Sequence, residues 1–75
     1  MNDLRIKYIL KEINKHSNMK VDYIHDKGCI KIIDEKNNTV FKITEPLYSL
    51  SNKTLINVVL VQLEQNFCAT VDYIW

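Results

Sequence analysis

Four side chains in this chain could ligate a soft metal or move a proton near neutral pH: His16, His25, Cys29 and Cys68. A structural zinc site wants paired ligands, as in Cys-x-x-Cys or His-x-x-x-His, and neither spacing occurs. General acid–base work needs titratable groups converging in a pocket. Here the acids stand singly, apart from Asp34-Glu35, and neither histidine lies beside an obvious nucleophile. The single glycine, Gly28, cannot build a glycine-rich phosphate loop. Both cysteines have apolar neighbours (Cys29-Ile30, Phe67-Cys68-Ala69) and read as buried free thiols behaving as small hydrophobes. The expectation is a protein without catalytic residues, cofactor or metal, one that works by binding.

What remains is charge. Lys7, Lys11 and Lys15 recur at i, i+4 and i+8 and read first as a solvated helix face. Taken together with Lys53, they give an alternative set of cations for phosphate or for a carboxylate-rich partner. Ten bases against nine acids leave a net charge of +1, so no long-range field draws the chain to nucleic acid, which is not the expected main ligand. The opening Met1-Asn2-Asp3 lacks the cationic and apolar stretches of an export signal. The longest aliphatic run, Val58 to Val61, is far short of the roughly 20 residues that span a bilayer. Two cysteines are also too few for a secreted disulfide framework, so a cytoplasmic protein without membrane contact is expected.

At 75 residues the chain is one domain, residues 1–75, burying only roughly 60% of its unfolded surface. Almost every apolar side chain is needed for the core. Ile6, Ile9, Leu10 and Ile13 recur with helical spacing behind a cap at Asn2 or Asp3, with Leu4 and Tyr8 flanking the stripe. Lys20 to His25, Cys29 to Asp34 and Thr39 to Thr44 are rich in β-branched and aromatic residues. The turns Asp26-Lys27-Gly28 and Glu35-Lys36-Asn37-Asn38 separate them, which gives an antiparallel meander. Alternation puts Val21, Tyr23, Ile30, Ile32, Phe41 and Ile43 on one face, and Asp22, Lys31, Lys42 and Thr44 on the other. Pro46 ends the sheet, and a short connector, Leu47 to Leu50, follows.

Ser51 can cap a second helix whose inward stripe is Ile56, Val59, Leu60, Leu63 and Phe67. The β-branched run within it also allows a strand over Leu55 to Leu63. The fold class is therefore α+β with an αβββα order: a three-stranded meander packed against an N-terminal and a C-terminal helix. The alternating tail from Ala69 to Trp75 could add a further strand. On the helical reading, Val58 and Val61 occupy a face that should be polar and call for a cover. The tail, a second copy of the chain or a target protein could each provide it.

The αβββα order is shared with double-stranded-RNA-binding domains, although Ser51-Asn52-Lys53-Thr54 offers one lysine where that family carries a cluster. Over roughly the first 45 residues the chain also resembles the small type II-A anti-CRISPR proteins of phages. Asn2-Asp3-Leu4 with Lys11-Glu12-Ile13-Asn14-Lys15 looks like the opening of that family, and Ile30 to Glu45 looks like its central hairpin. The resemblance implies a phage-type inhibitor of a host or defence protein, such as the RNA-loaded Cas9-type effector nuclease of a type II CRISPR system. With nine acids against ten bases, the chain is no acidic mimic of DNA. The contact surfaces expected for a protein partner or a homodimer are the hairpin tip (Asp34, Glu35, Asn37, Asn38) and the group Val58, Val61 and Trp75. The hairpin tip qualifies because exposed polar turns can meet a partner without disturbing a core.

Overall fold

Asn2 opens the first helix, α1 (Asp3–Lys15), by accepting the backbone N–H of Arg5 at 2.8 Å. The structure, a computed structural model, describes all residues from Met1 to Trp75. After α1 come β1 (Asp22–Asp26), β2 (Cys29–Ile33) and β3 (Thr39–Thr44). They are followed by a 3₁₀ turn (Glu45–Ser49) and by α2 (Asn52–Phe67). The sheet order is β1-β2-β3, with both pairs antiparallel. The αβββα layout expected from the residues is the layout found.

Turn chemistry explains the meander. Gly28 takes φ +69° between β1 and β2, and Asn37 takes φ +65° between β2 and β3. These are left-handed conformations that glycine and asparagine tolerate best. Pro46 lies in the 3₁₀ turn that stops the sheet, so the connector is a turn of helix rather than free loop. Ser51 caps α2 by accepting the N–H of Thr54 at 3.2 Å, which settles the choice between helix and strand over Leu55 to Leu63 in favour of helix.

The core is one apolar cluster. Ile6, Ile9, Leu10 and Ile13 of α1 meet Leu55, Ile56, Val59, Leu60 and Leu63 of α2 over Ile30, Ile32 and Ile43 of the sheet. Ile9, Ile32 and Leu63 are completely enclosed. Two expected members of this core sit elsewhere. Phe67 is 41% exposed at the last residue of α2. Phe41 is only half-buried, and Val40 takes a buried place that simple alternation denies it. The cause is a break in register: Ile32 pairs with Phe41 but Ile33 pairs with Thr39, leaving Val40 as an extra residue. A bulge of this kind re-aims a side chain.

Both helices begin at one end of the molecule. Arg5 of α1 reaches across to Asn52 Oδ1 at 2.6 Å, to the Tyr48 carbonyl at 2.7 Å, and to the Leu50 carbonyl. α1 runs antiparallel to β1, tied at one end by Asp3 to His25 and at the other by Asn14 to Val21. The tail does not extend the sheet. Its one β-type contact is an isolated bridge between Ser17 and Val71. It doubles back after Cys68, which caps α2 in the left-handed conformation at φ 56° and is exposed rather than buried. Cys29, the other thiol, is half-buried.

Ile32→Ala should cost about 2–5 kcal/mol, since the residue is enclosed and a cavity would remain. Phe41→Ala should cost less than Ile32→Ala despite removing more atoms, because Phe41 already meets solvent. Urea denaturation midpoints of the two variants test this order. An equal or larger loss at Phe41 would mean that the bulge does not release it from the core.

Candidate functional site

The tail forms a strap. Asp72 N–H donates to the His16 carbonyl at 2.8 Å, and His16 Nδ1 donates to the Asp72 carbonyl at 2.9 Å. Asn18 N–H donates to the Thr70 carbonyl at 3.1 Å, while Thr70 N–H donates to Asn18 Oδ1 at 3.0 Å. Further along, the Asn57 side chain pairs with Ile74 in both directions, at 2.6 Å and 2.9 Å. Tyr73 donates its hydroxyl to Glu64 at 2.7 Å, and this bond to a carboxylate pushes the phenol pKa up. Val71, Tyr73 and Ile74 pack on the core. None of these partners was legible as functional from composition. The one available signal is that Asn14 and Asn57 lie inside helices, where asparagine is a weak former.

The strap leaves the suspect valines in place. Asn57 and Glu64, seven residues apart, mark the flank of α2 along which the tail runs. Val61, between Asn57 and Glu64 in the i, i+4, i+7 row, falls on that same flank, while Val58 lies about 100° round from Asn57, and both are off the Leu55–Leu63 stripe. Both are half-buried, although neither belongs to the core cluster. Trp75 ends the strap 93% exposed, its ring meeting Tyr73 edge-on at 6.4 Å. In the C-terminal half Phe67 and Trp75 are thus the large apolar side chains left exposed, with Val58 and Val61 partly covered.

At the hairpin tip, Asp34 shapes the turn. Its Oδ1 accepts the N–H groups of Lys36 and Asn38, both at 2.9 Å. The Asn38 N–H above all, with Lys36 adding to it, holds the Asp34 carboxyl below the usual carboxylate range. Glu35, Asn37 and Asn38 are exposed. The tip adjoins the chain leading into β1 and the end of α2, enclosing an open groove of about 450 Å³ with Met19 and Phe67 as its apolar members. Asp34 therefore shapes this surface, and Glu35 is presented on it. Nothing brings the tip together with Val58, Val61 and Trp75, so the predicted contact residues form two surfaces.

The lysines divide likewise. Lys7, Lys11 and Lys15 are exposed along α1, and none enters an ion pair. Arg5 marks the flank of α1 that faces the start of α2, and Lys7 lies about 200° further round. Lys53, in the first turn of α2, therefore does not extend the row. Elsewhere, His25 Nε2 lies 2.8 Å from Asp3 Oδ1 at the rim of a groove of about 280 Å³ that also reaches Cys29 and Glu45. No three of the histidine, cysteine, aspartate and glutamate side chains are grouped to hold a metal ion. No helix is long and apolar enough to cross a membrane.

The direction of the Asp34 shift fixes a pH response. A carboxyl whose pKa is lowered on folding stabilises the fold above its unfolded pKa, and that contribution is lost as pH falls through the folded value. The Asp34 carboxyl should titrate below the usual aspartate range in a carbon-detected NMR experiment. In Asp34→Ala the amides of Lys36 and Asn38 should exchange faster than in wild type while those of α1 are unchanged. Equal exchange at the tip would show that Asp34 does not hold the turn.

Comparison of the chain with protein-family models, with curated proteins and with solved structures finds no match in any of the three.

Proposed function

We propose that this protein works without chemistry of its own, by binding another protein through the outer face of α2 and the end of the tail. The observation that carries this reading is the exposed Trp75, together with the half-buried Val58 and Val61 on a part of α2 off the core stripe, in a chain too small to leave apolar area idle. Placing aliphatic side chains on a solvated helix face is unfavourable by about 25 cal/mol per Å² of apolar surface, and a partner that covers them recovers that free energy. The tail, which runs along Asn57 and Glu64, covers them only in part. The hairpin tip offers a second, polar contact surface through Glu35, Asn37 and Asn38.

The class of target we infer is a host or defence protein, with this chain as its inhibitor. That inference comes from the resemblance of residues 1–45 to small phage anti-CRISPR proteins, for which a guide-loaded type II effector nuclease is the target. Inhibition by an apolar patch on a near-neutral chain would be steric occlusion rather than imitation of the charge on DNA. A nucleic-acid-binding module gains little support, because only three cations share a face and Lys53 stands apart from them. Three phosphate contacts give a weak, shallow salt dependence.

Val58→Asp combined with Val61→Lys should leave the fold intact, with a thermal midpoint within a few degrees of wild type, because both positions lie outside the core. Wild type should block DNA cleavage by a reconstituted guide-loaded type II nuclease, and the double variant should not. Light scattering on both forms reads self-association at the same surface. If wild type neither inhibits the nuclease nor recovers a protein from host lysate after nuclease treatment, the inhibitor reading fails. If the double variant unfolds, the valines are core and the α2 surface is withdrawn.

A further inference from the structure

α1 carries a second unpartnered line, on a face apart from the α2 surface. At about 100° per residue, Leu4, Tyr8, Lys11 and Lys15 fall within about 60° of one another on the side of the helix opposite Ile6, Ile9 and Ile13. Lys7 flanks them. Leu4 is 82% exposed and Tyr8 48%, and all three lysines are exposed. The line runs about 16 Å and is apolar at the helix start and cationic at its end.

The acids that could neutralise it are engaged elsewhere. Asp3 pairs with His25, and Glu12 lies 3.5 Å from His16 on the flank that faces the tail. Of the other carboxylates, Asp26 pairs with Lys31, and Asp72 lies 3.8 Å from His16. A row of lysines with no internal counter-charge, continuing directly from a leucine and a tyrosine, matches a segment with carboxylates at one end and aliphatic side chains at the other. We infer that the outer face of α1 docks an acidic peptide segment of a partner protein, with its carboxylates on Lys7, Lys11 and Lys15 and its apolar residues on Leu4 and Tyr8.

Charge complementarity favours a peptide over the other anionic surfaces. A nucleic acid presents phosphate along the whole line and would set Leu4 against charge, close to Asp3. With three cations its salt slope would be about −2.7, against about −5 or steeper for proteins that make six or more phosphate contacts. A lipid surface takes up an amphipathic helix by its apolar face, and that face of α1 is already enclosed in the core. A peptide uses both halves of the line at once. The lysines steer the encounter and set its salt dependence, while Leu4 and Tyr8 supply the area removed from water.

The experiment uses the full chain and four probes. These are a synthetic 12-residue peptide with leucines at one end and glutamates at the other, the same peptide with lysine in place of glutamate, a 20-base-pair RNA duplex, and phosphatidylserine vesicles. The glutamate peptide should bind, with amide shifts in nitrogen-15 NMR concentrated in Leu4 to Lys15, and should weaken as salt rises. Lys7→Glu, Lys11→Glu and Lys15→Glu together should reduce its affinity at least tenfold and create affinity for the lysine peptide. Leu4→Ala with Tyr8→Ala should weaken it at least fivefold. Circular dichroism checks that these surface variants stay folded, and the triple lysine-to-glutamine variant makes the same comparison should charge reversal unfold the chain. Shifts centred outside α1, unchanged affinity in the lysine variants, or tighter binding of duplex or vesicles than of the glutamate peptide would each overturn the inference.

Discussion

Main-chain groups that leave a helix or strand must find partners, and in this chain side chains carried on the helices provide them. Arg5 fastens the carbonyls of Tyr48 and Leu50 where the chain rises from the sheet into α2. Asn14 pairs with both main-chain groups of Val21 where the chain enters β1, at 2.8 Å and 2.9 Å. Asn57 does the same for Ile74 near the chain end. An unpaired buried main-chain group costs about 1–3 kcal/mol, which a domain of this size can bear only a few times. The apolar cluster supplies the drive to collapse, and these side chains fix where the irregular segments lie on it.

This division explains what was legible in the sequence. Ile6, Ile9, Leu10 and Ile13 repeat with helical spacing, and so do Ile56, Val59, Leu60 and Leu63, because burial on one face selects residue type at each turn. Gly28 and Asn37 announced their turns through the backbone conformations they tolerate. Phe41 and Val40 were not separable by alternation, since a bulge is set by pairing with β2 and leaves no mark in β3 itself. Phe67 looked buried by its place in the helical stripe and Cys68 by its apolar neighbours, yet they are the last residue and the cap of α2, and both are exposed. The tail alternates as a strand would, but hydrogen bonds to side chains and to the α1–β1 connector hold it as a strap.

The candidate surfaces follow the same logic. Val58 and Val61 stood out in sequence because they break the expected polarity of a helix face, and that conflict persists in the folded chain. The hairpin tip stood out by composition, whereas the role of Asp34 in holding its own turn appears only once the distances to Lys36 and Asn38 are known. Lys53 joined the other lysines only as a list of cations. Which residues share a face of one helix can be read from spacing, but which faces of two helices meet depends on how they pack.

The absence of an enclosed pocket is a consequence of size. The grooves of this chain are open and of about 270 to 450 Å³, bounded by turns and connectors rather than by a second layer of structure. Enclosing a ligand would take side chains away from a core that already uses nearly all of them. A chain built this way can still bind selectively, because helices held at both ends present fixed rows of side chains to a partner. Arg5 pins the start of α1 and Asn14 its far end, so the line from Leu4 to Lys15 is already straight before a partner arrives. The strap does the same for α2 by fastening to Asn57, with Val58 and Val61 left only partly covered. Little ordering then remains to be done on binding, and modest contact areas can give useful affinity.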